Sequence, residues 1–566
     1  MPNLIGLWAT GTIASAFVAL SSSANAKVAN PDLIPGKAAL AISIPDGSGL
    51  VKAAEANSLF KSANRELAPY IKTKLEEQGA LEKINSVEKV LGFDLSASNV
   101  IGAFKSIDAY AVPGASQDDT AVGIILGVAD KKRADQLISL ATLAVTEAVS
   151  GSPGSSPTTK PEPTKYKDRE ITKYGEEGSE AFVVKTDEMI LVSNKESEIK
   201  ALVDRLTEKA QDTLGANEDY KKISESLSSR QGQIFFYSNP LELNTLMESV
   251  SGNSESPVEE VTKRLQTSKF TGAAVSIEPT SVKSSGLSIL NNSGLSAFLK
   301  NNPGKEIQSV KFATQDSLLF VGTSLLDTKA IGEAIDELSK VMPEVEQMKG
   351  QATQLETVLG FSIGDDLAPA VGNEIAIVVN KVDLESGPMP SVDAGIIVKV
   401  QDGSKMKKVV DALEKLGSGA LSGGQGEPVS FEKEKIAGAE VKFVPVPLPI
   451  QPGFTIHNGY LVIGTTKSGI KALLEAKSGD NNLTSAEAFT KLAPAVSTTG
   501  QTVSYVNLGE IASIGLKAAK QRASEDMDAE AMFNRISNVA RTLGTVGAVQ
   551  QIKDGMMVSE SVLDLK

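Results

Sequence analysis

The chain has 566 residues, 41% apolar and 22% charged, and a formal net charge of −14. That length exceeds one ordinary core and points to two to four domains, while the acidic balance offers no basic stripe for nucleic acid. There is no cysteine and one histidine, His457, which removes thiolate nucleophiles, disulfides and Cys/His zinc sets, and any Ser-His-Asp triad in which His457 does not serve.

Residues 1–26 have the pattern of a secretory signal: an apolar run from Leu4 to Leu20, small polar residues, then Ala24-Asn25-Ala26 as an A-x-A site. Cleavage is expected between Ala26 and Lys27, although Met1-Pro2-Asn3 brings no Lys or Arg. The run barely reaches the ~20 residues of a membrane-spanning helix, and no later segment is apolar enough. No cysteine follows it to carry a lipid. The mature chain is therefore expected in the periplasm or otherwise outside the cytoplasm, without an integral membrane span.

Downstream, Ala38 to Ile44 reads as a strand closed by Pro45-Asp46-Gly47. Leu67, Ile71, Leu75, Leu81, Ile84, Val87 and Leu91 recur at helical steps on one face of successive helices, and Gly92 is placed to cap the last of them. Ile107 to Pro113 and Ala121 to Val128 read as a hairpin, followed by a helix from about Asp130 to Val149. Pro153, Pro157, Pro161 and Pro163 mark residues 151–165 as a loop. Strands near Tyr166 to Tyr174, Ala181 to Lys185 and Met189 to Ser193 lead to a helix from Glu196. A strand from Gln233 to Tyr237 and the pair Phe270 to Glu278 and Val282 to Leu290 complete this half.

The second half replays that order. Val90-Leu91-Gly92-Phe93 returns 268 residues later as Val358-Leu359-Gly360-Phe361, and Ile199-Lys200-Ala201-Leu202 as Ile470-Lys471-Ala472-Leu473. Val310 to Phe312 and Leu318 to Gly322 open it as strands. Ala334, Leu338, Val341, Val345, Met348, Ala352, Leu355 and Leu359 then form a seam broken by Pro343 and Gly350, which suits two helices on a sheet better than a coiled coil. Glu374 to Val379 and Ala394 to Val400 match the earlier hairpin, and Gly417 to Gly426 takes the place of the Pro-rich loop. Val546 to Lys553 and Met557 to Leu565 end the chain. The fold expected is α+β: a signal at 1–26 and two pseudo-symmetric repeats, 27–300 and 301–566, each an antiparallel sheet with helices mainly on one face.

Polar letters shared by both halves are few. Asp94 falls opposite Ser362 and Asp366 opposite Ser98, so no carboxylate pair persists around the shared Gly-Phe. Tyr237-x-Asn239-x-x-Glu242 returns as Tyr505-x-Asn507-x-x-Glu510, which reads as two capping boxes starting helices. His457 precedes Asn458-Gly459, a type I′ hairpin signal. Val444 to Pro452 reads as a rigid edge or loop, and the Gly-rich stretch lacks the Lys-Ser/Thr of a phosphate loop. No catalytic residue, cofactor site or metal site emerges.

Leu91 to Asp94, Met189 to Leu202 and Tyr237 to Asn239, taken with the order of elements, resemble an uncharacterised family of exported bacterial proteins, a domain of unknown function. The resemblance implies an extracytoplasmic role and transfers no catalytic residue. The function expected is a non-enzymatic exported binding or structural protein. One alternative is a carrier of a lipid or other apolar small molecule, and another is a carboxylate-dependent hydrolase, which would need two carboxyl groups ~5–9.5 Å apart. An envelope protein or an apolar ligand is the partner these readings suggest.

Overall fold

The computed structural model describes residues 24–25, 27–149, 161–175, 180–208, 210–228, 230–251, 267–292, 294–325, scattered positions from 328 to 357, 360–384, 391–421, 430–444, 451–493, 495–522 and 527–566. The described residues through Asn291 form one compact unit and those from Asn292 onward another.

Among the described residues, the main sheet of the first unit has ten strands: β1 (Leu40–Ile44), β2 (Phe104–Val112), β3 (Ala121–Val128), β4 (Glu162–Tyr166), β5 (Arg169–Tyr174), β6 (Ala181–Lys185), β7 (Met189–Ser193), β8 (Ile234–Ser238), β9 (Ser268–Glu278) and β10 (Ser281–Leu290). They pair antiparallel in the order β10-β9-β8-β1-β2-β3-β7-β6-β5-β4. The second unit carries β11 (Leu319–Thr323), β12 (Val371–Asp383), β13 (Ser391–Val400), β14 (Glu432–Ile436), β15 (Ala439–Phe443), β16 (Gly453–His457), β17 (Tyr460–Gly464), β18 (Thr502–Asn507), β19 (Leu543–Lys553) and β20 (Met556–Leu565). Their order is β20-β19-β18-β11-β12-β13-β17-β16-β15-β14, the same order in the same direction. Register extends the match to single residues. Gly272, Tyr237, Ala41, Tyr110, Gly123 and Ser193 lie opposite one another across the first sheet. Gly547, Tyr505, Phe320, Val378, Gly395 and Gly464 do so across the second.

Side chains alternate between faces along a strand, so each sheet has two faces to cover. In the first unit, α1 (Gly47–Ala56), α4 (Ala97–Val100) and α5 (Lys131–Val149) cover the face of Ile42, Ile107 and Ile124. The Tyr110 and Tyr237 face is covered by α6 (Glu196–Thr207) and α7 (Glu218–Ser228), which bury Ile199, Leu202, Ile223 and Leu227. Helices therefore lie on both faces rather than mainly one, because these central strands are apolar on both sides. Between α1 and α4 run α2 (Ser58–Glu77) and α3 (Ala80–Leu91), separated at Gly79 with φ +65°. In the second unit α11 (Lys467–Ser478) packs Ile470, Leu473 and Leu474 into the core with Phe320, Val378 and Tyr505. On the opposite face α10 (Gly403–Leu421) sets Met406 and Val410 beside Val400, Phe454 and Leu461.

Three expectations change. Residues 162–166 are an edge strand rather than loop, and Pro163 is tolerated because β4 pairs only with β5. Val310 to Phe312 belongs to a 3₁₀ turn, Gln308–Phe312, whose Ser309 N–H goes to the buried Glu374 carboxylate instead of to a ladder. The edge strand β14 went unread because Glu432-Lys433-Glu434-Lys435 alternates charge rather than hydrophobicity, as edges commonly do. The seam from Ala334 to Leu359 lies outside the described residues, as do 151–160, 422–429 and 445–450.

Candidate functional site

The helix α3 stops where its sequence requires it to. Gly92 takes φ +75°, its N–H donates to Glu88 O at 2.8 Å, and the Glu88 carboxylate accepts from Leu95 N at 2.8 Å. A helix end leaves carbonyls without intrahelical donors, and Leu91 O takes Gln136 Nε2 of α5 at 2.9 Å. That bond ties the two helices together. Ala134, Leu137 and Ile138 of α5 point into the core, anchored by Asp130, which caps the helix by accepting from Arg133 N at 3.1 Å.

The neighbouring stripe of α5, Asp135, Gln136, Ser139 and Leu140, faces Ser86, Val87, Val90 and Leu91 of α3 across a groove of about 460 Å³. Both stripes have the same helical spacing, which is why they form continuous walls. The lining is mostly apolar, and Val90 is 83% exposed although aliphatic. Ser86 Oγ donates to Glu82 O at 2.7 Å and Ser139 Oγ to Asp135 O at 2.8 Å, so both hydroxyl protons return to their own helices. Gln136 Oε1 is buried and accepts from no donor among the described residues. Asp135 is the lining's single carboxylate, 3.5 Å from Lys185 Nζ. Such a surface can hold an apolar body and orient it by hydrogen bonds, and it presents no pair of carboxyl groups for hydrolysis.

Other buried polar groups lie elsewhere. Asp108 is fully buried and accepts from Asn30 Nδ2 at 2.7 Å and Ala29 N at 3.2 Å; burial raises its pKa. Tyr110 donates to Glu198 at 2.6 Å, and Glu198 is ion-paired with Arg205. In the second unit Glu374 accepts from Ser309 N and from Tyr460 Oη, while Lys477 Nζ sits 5.0 Å above the Phe312 ring and 5.1 Å above that of Tyr460. None of these residues was singled out in the sequence for chemistry. Gly123 was the one signal present: a Cβ there would meet Tyr110 Cζ at 2.2 Å, so the glycine makes room for the ring.

The residues that the sequence did single out are dispersed. His457 opens the β16–β17 hairpin, and Asn458 and Gly459 take φ +50° and +77°, the type I′ pattern. Asn239 and Asn507 start helices α8 (Pro240–Ser251) and α13 (Leu508–Arg522), accepting from Glu242 N and Glu510 N. Only that half of each capping box forms. The N–H of Asn239 donates to Ala39 O and that of Asn507 to Leu318 O, so the glutamates find it already engaged by the sheet. Ala24-Asn25 pairs with Gln231-Gly232, a contact that a chain beginning at Lys27 lacks; Ala26 lies outside the described residues.

Fold and groove together define a two-unit α+β protein with an apolar site between two helices of its first unit. The chain belongs to the family described as "Protein of unknown function (DUF3352)", which matches residues 103–417, more than half its length. The match takes in α5 but begins after α3, so one wall of the groove lies outside it. No curated protein matches significantly. Among solved structures the chain is similar to two crystal forms of TP0453, at 12% and 11% identity. They cover 46% and 47% of this chain and 80% and 81% of theirs, each with a TM-score of 0.24. That likeness is too slight to transfer a fold or an activity. Among the described residues no helix is long and apolar enough to cross a membrane.

Proposed function

We propose that the protein is an exported, non-enzymatic binding protein that holds an apolar small molecule between α3 and α5. The observation that carries this reading is the groove itself, in which Val87, Val90, Leu91 and Leu140 remain around open space where a folded chain would ordinarily bring apolar side chains together. Its volume lies in the ~300–1,000 Å³ range of small-molecule sites. Export is supported by the pattern of residues 1–26 and requires a mature chain that begins at Lys27 and lacks Trp8, the only tryptophan.

The test uses that chain, its N-terminus fixed by intact mass, titrated with an apolar fluorophore such as Nile red. Saturable binding at one site is expected, weakened at least tenfold in Val90→Asp, a change at an exposed position that leaves the fold intact. Unsaturable binding, or binding indifferent to Val90→Asp, defeats the groove. A secreted chain retaining Trp8 defeats cleavage.

A further inference from the structure

Ahead of the first strand of each main sheet the chain makes a two-residue strand. Ala24 lies opposite Gly232 and Asn25 opposite Gln231. Lys305 lies opposite Gly500 and Glu306 opposite Thr499. Gly232 and Gly500 are 268 residues apart, the interval that separates Val90 from Val358, so Ala24 stands where Lys305 does. The backbone of Ala24–Asn25 therefore belongs to the first unit as that of Lys305–Glu306 belongs to the second. Just beyond, the chain is fastened again. Val28 is fully buried, Ala29 N donates to Ser43 Oγ at 3.0 Å and to Asp108 Oδ1 at 3.2 Å, and Asn30 Nδ2 donates to Asp108 Oδ2 at 2.7 Å. The bond expected to be cut, Ala26–Lys27, falls between these two anchors.

A protease holds the residues before its scissile bond extended against its own backbone, and a segment pinned in a fold reaches that state only by local opening. We propose that hydrolysis of Ala26–Lys27, in which water adds across the bond to leave an Ala26 carboxylate and a Lys27 ammonium, occurs before the first unit closes, and that closure first locks the leader in place. This rests on cleavage at Ala26 and not on the groove. In a chain cut early, Gln231–Gly232 loses its partner strand, whereas Thr499–Gly500 keeps Lys305–Glu306. In a chain that folds uncut, the apolar run from Leu4 to Leu20 stays attached. The order of the two events decides whether that run is shed.

The experiment is cell-free synthesis of the full 566-residue chain in detergent micelles, with a signal peptidase added either at the start or after folding and the N-terminus read by intact mass. Peptidase present from the start should give chains beginning at Lys27, and peptidase added late should cut at least tenfold more slowly. A second chain carries a copy of Ala24-Asn25-Ala26 and a flexible Gly-Ser linker inserted ahead of Ala24, which sets one cleavage site outside the pairing. That copy should be cut at the same rate early and late. Late cutting of the native chain at the early rate overturns the proposal. So does late resistance of the inserted copy, since the barrier then lies elsewhere than in the pairing. A native chain cut at neither time removes cleavage at Ala26 and this inference with it, and leaves the groove to its own titration.

Discussion

At the point on β2 where the first unit carries Tyr110, the second carries Val378 on β12, and the helix that faces them changes with it. Glu198 and Arg205 of α6 serve Tyr110, and by the repeated Ile-Lys-Ala-Leu segment, Ile199 to Leu202 and Ile470 to Leu473, Gly469 and Ala476 of α11 stand in their places. The buried carboxylates differ as well. Asp108 holds Ala29 and Asn30 in the first unit, whereas in the second Glu374, two residues earlier on the matching strand, holds Ser309. Both fasten the segment that precedes the first strand of the sheet. Strand order and apolar positions are thus common to the units, and the buried charges are local solutions to the same closure problem. A side chain that serves closure need not be the same letter twice, which is why none of these carboxylates stood out as a shared residue.

The comparison breaks most visibly at Arg205. It is 10% exposed and its partner Glu198 is 12% exposed, so removing the guanidinium strands a carboxylate in the interior. Arg205→Met should cost about 3–5 kcal/mol in urea unfolding, the range for a broken buried pair. The double variant Glu198→Gln, Arg205→Met, which leaves Tyr110 an acceptor and removes both charges, should recover most of that, as the uncharged Gly469 and Ala476 at the matching positions imply. A single variant no worse than a surface change would mean that the pair is idle.

The matched tyrosines sharpen it. Tyr237 and Tyr505 are both fully buried, and neither hydroxyl has a partner among the described residues. Burial pushes the Tyr505 phenol up to about 12 and raises that of Tyr237 too. The folded value exceeds the unfolded one of about 10, so this contribution is complete below pH ~10 and is lost as pH rises through 12. Replacing either by Phe should stabilise the protein by about 1–2 kcal/mol, since an unpaired buried hydroxyl is removed with the ring kept. Each variant should also lose part of the alkaline destabilisation, followed by tyrosinate absorbance. Destabilisation by one substitution only would show that its hydroxyl has a partner that the other lacks.

What the sequence made legible follows from chemistry that is local. Gly92 and Gly360 both take positive φ at a helix end, and Asn458-Gly459 forms the turn its letters specify. Ala121 to Val128 was bounded to the residue by its apolar composition. Asp108 was not legible, since its partner Asn30 lies 78 residues away and nothing in either neighbourhood announces the bond. The groove was half legible: Val87 and Leu91 stood on the predicted helical face, but the facing wall on α5 is set by the fold. Pro163 concealed an edge strand because the letter that forbids a central ladder is neutral at an edge.

One shared carboxylate was within reach of the sequence and gives the smallest effect. Glu88 precedes Val90-Leu91-Gly92-Phe93 by two residues, and Glu356 precedes Val358 likewise. Each reaches past its positive-φ glycine to accept the N–H seven residues on, Leu95 in one unit and Ile363 in the other. The bond fixes the direction in which the chain leaves the helix, and it lies at the surface, where water competes. Glu88→Ala and Glu356→Ala should therefore each cost about 0.5–1.5 kcal/mol in urea unfolding. The Gln variants should cost less, because an amide oxygen still accepts. Equal losses at the two positions would mark this as the rare polar letter kept for one purpose in both units. A loss at Glu88 alone would tie its role to α3 and the groove wall it ends, since only there does the helix end also hold Gln136.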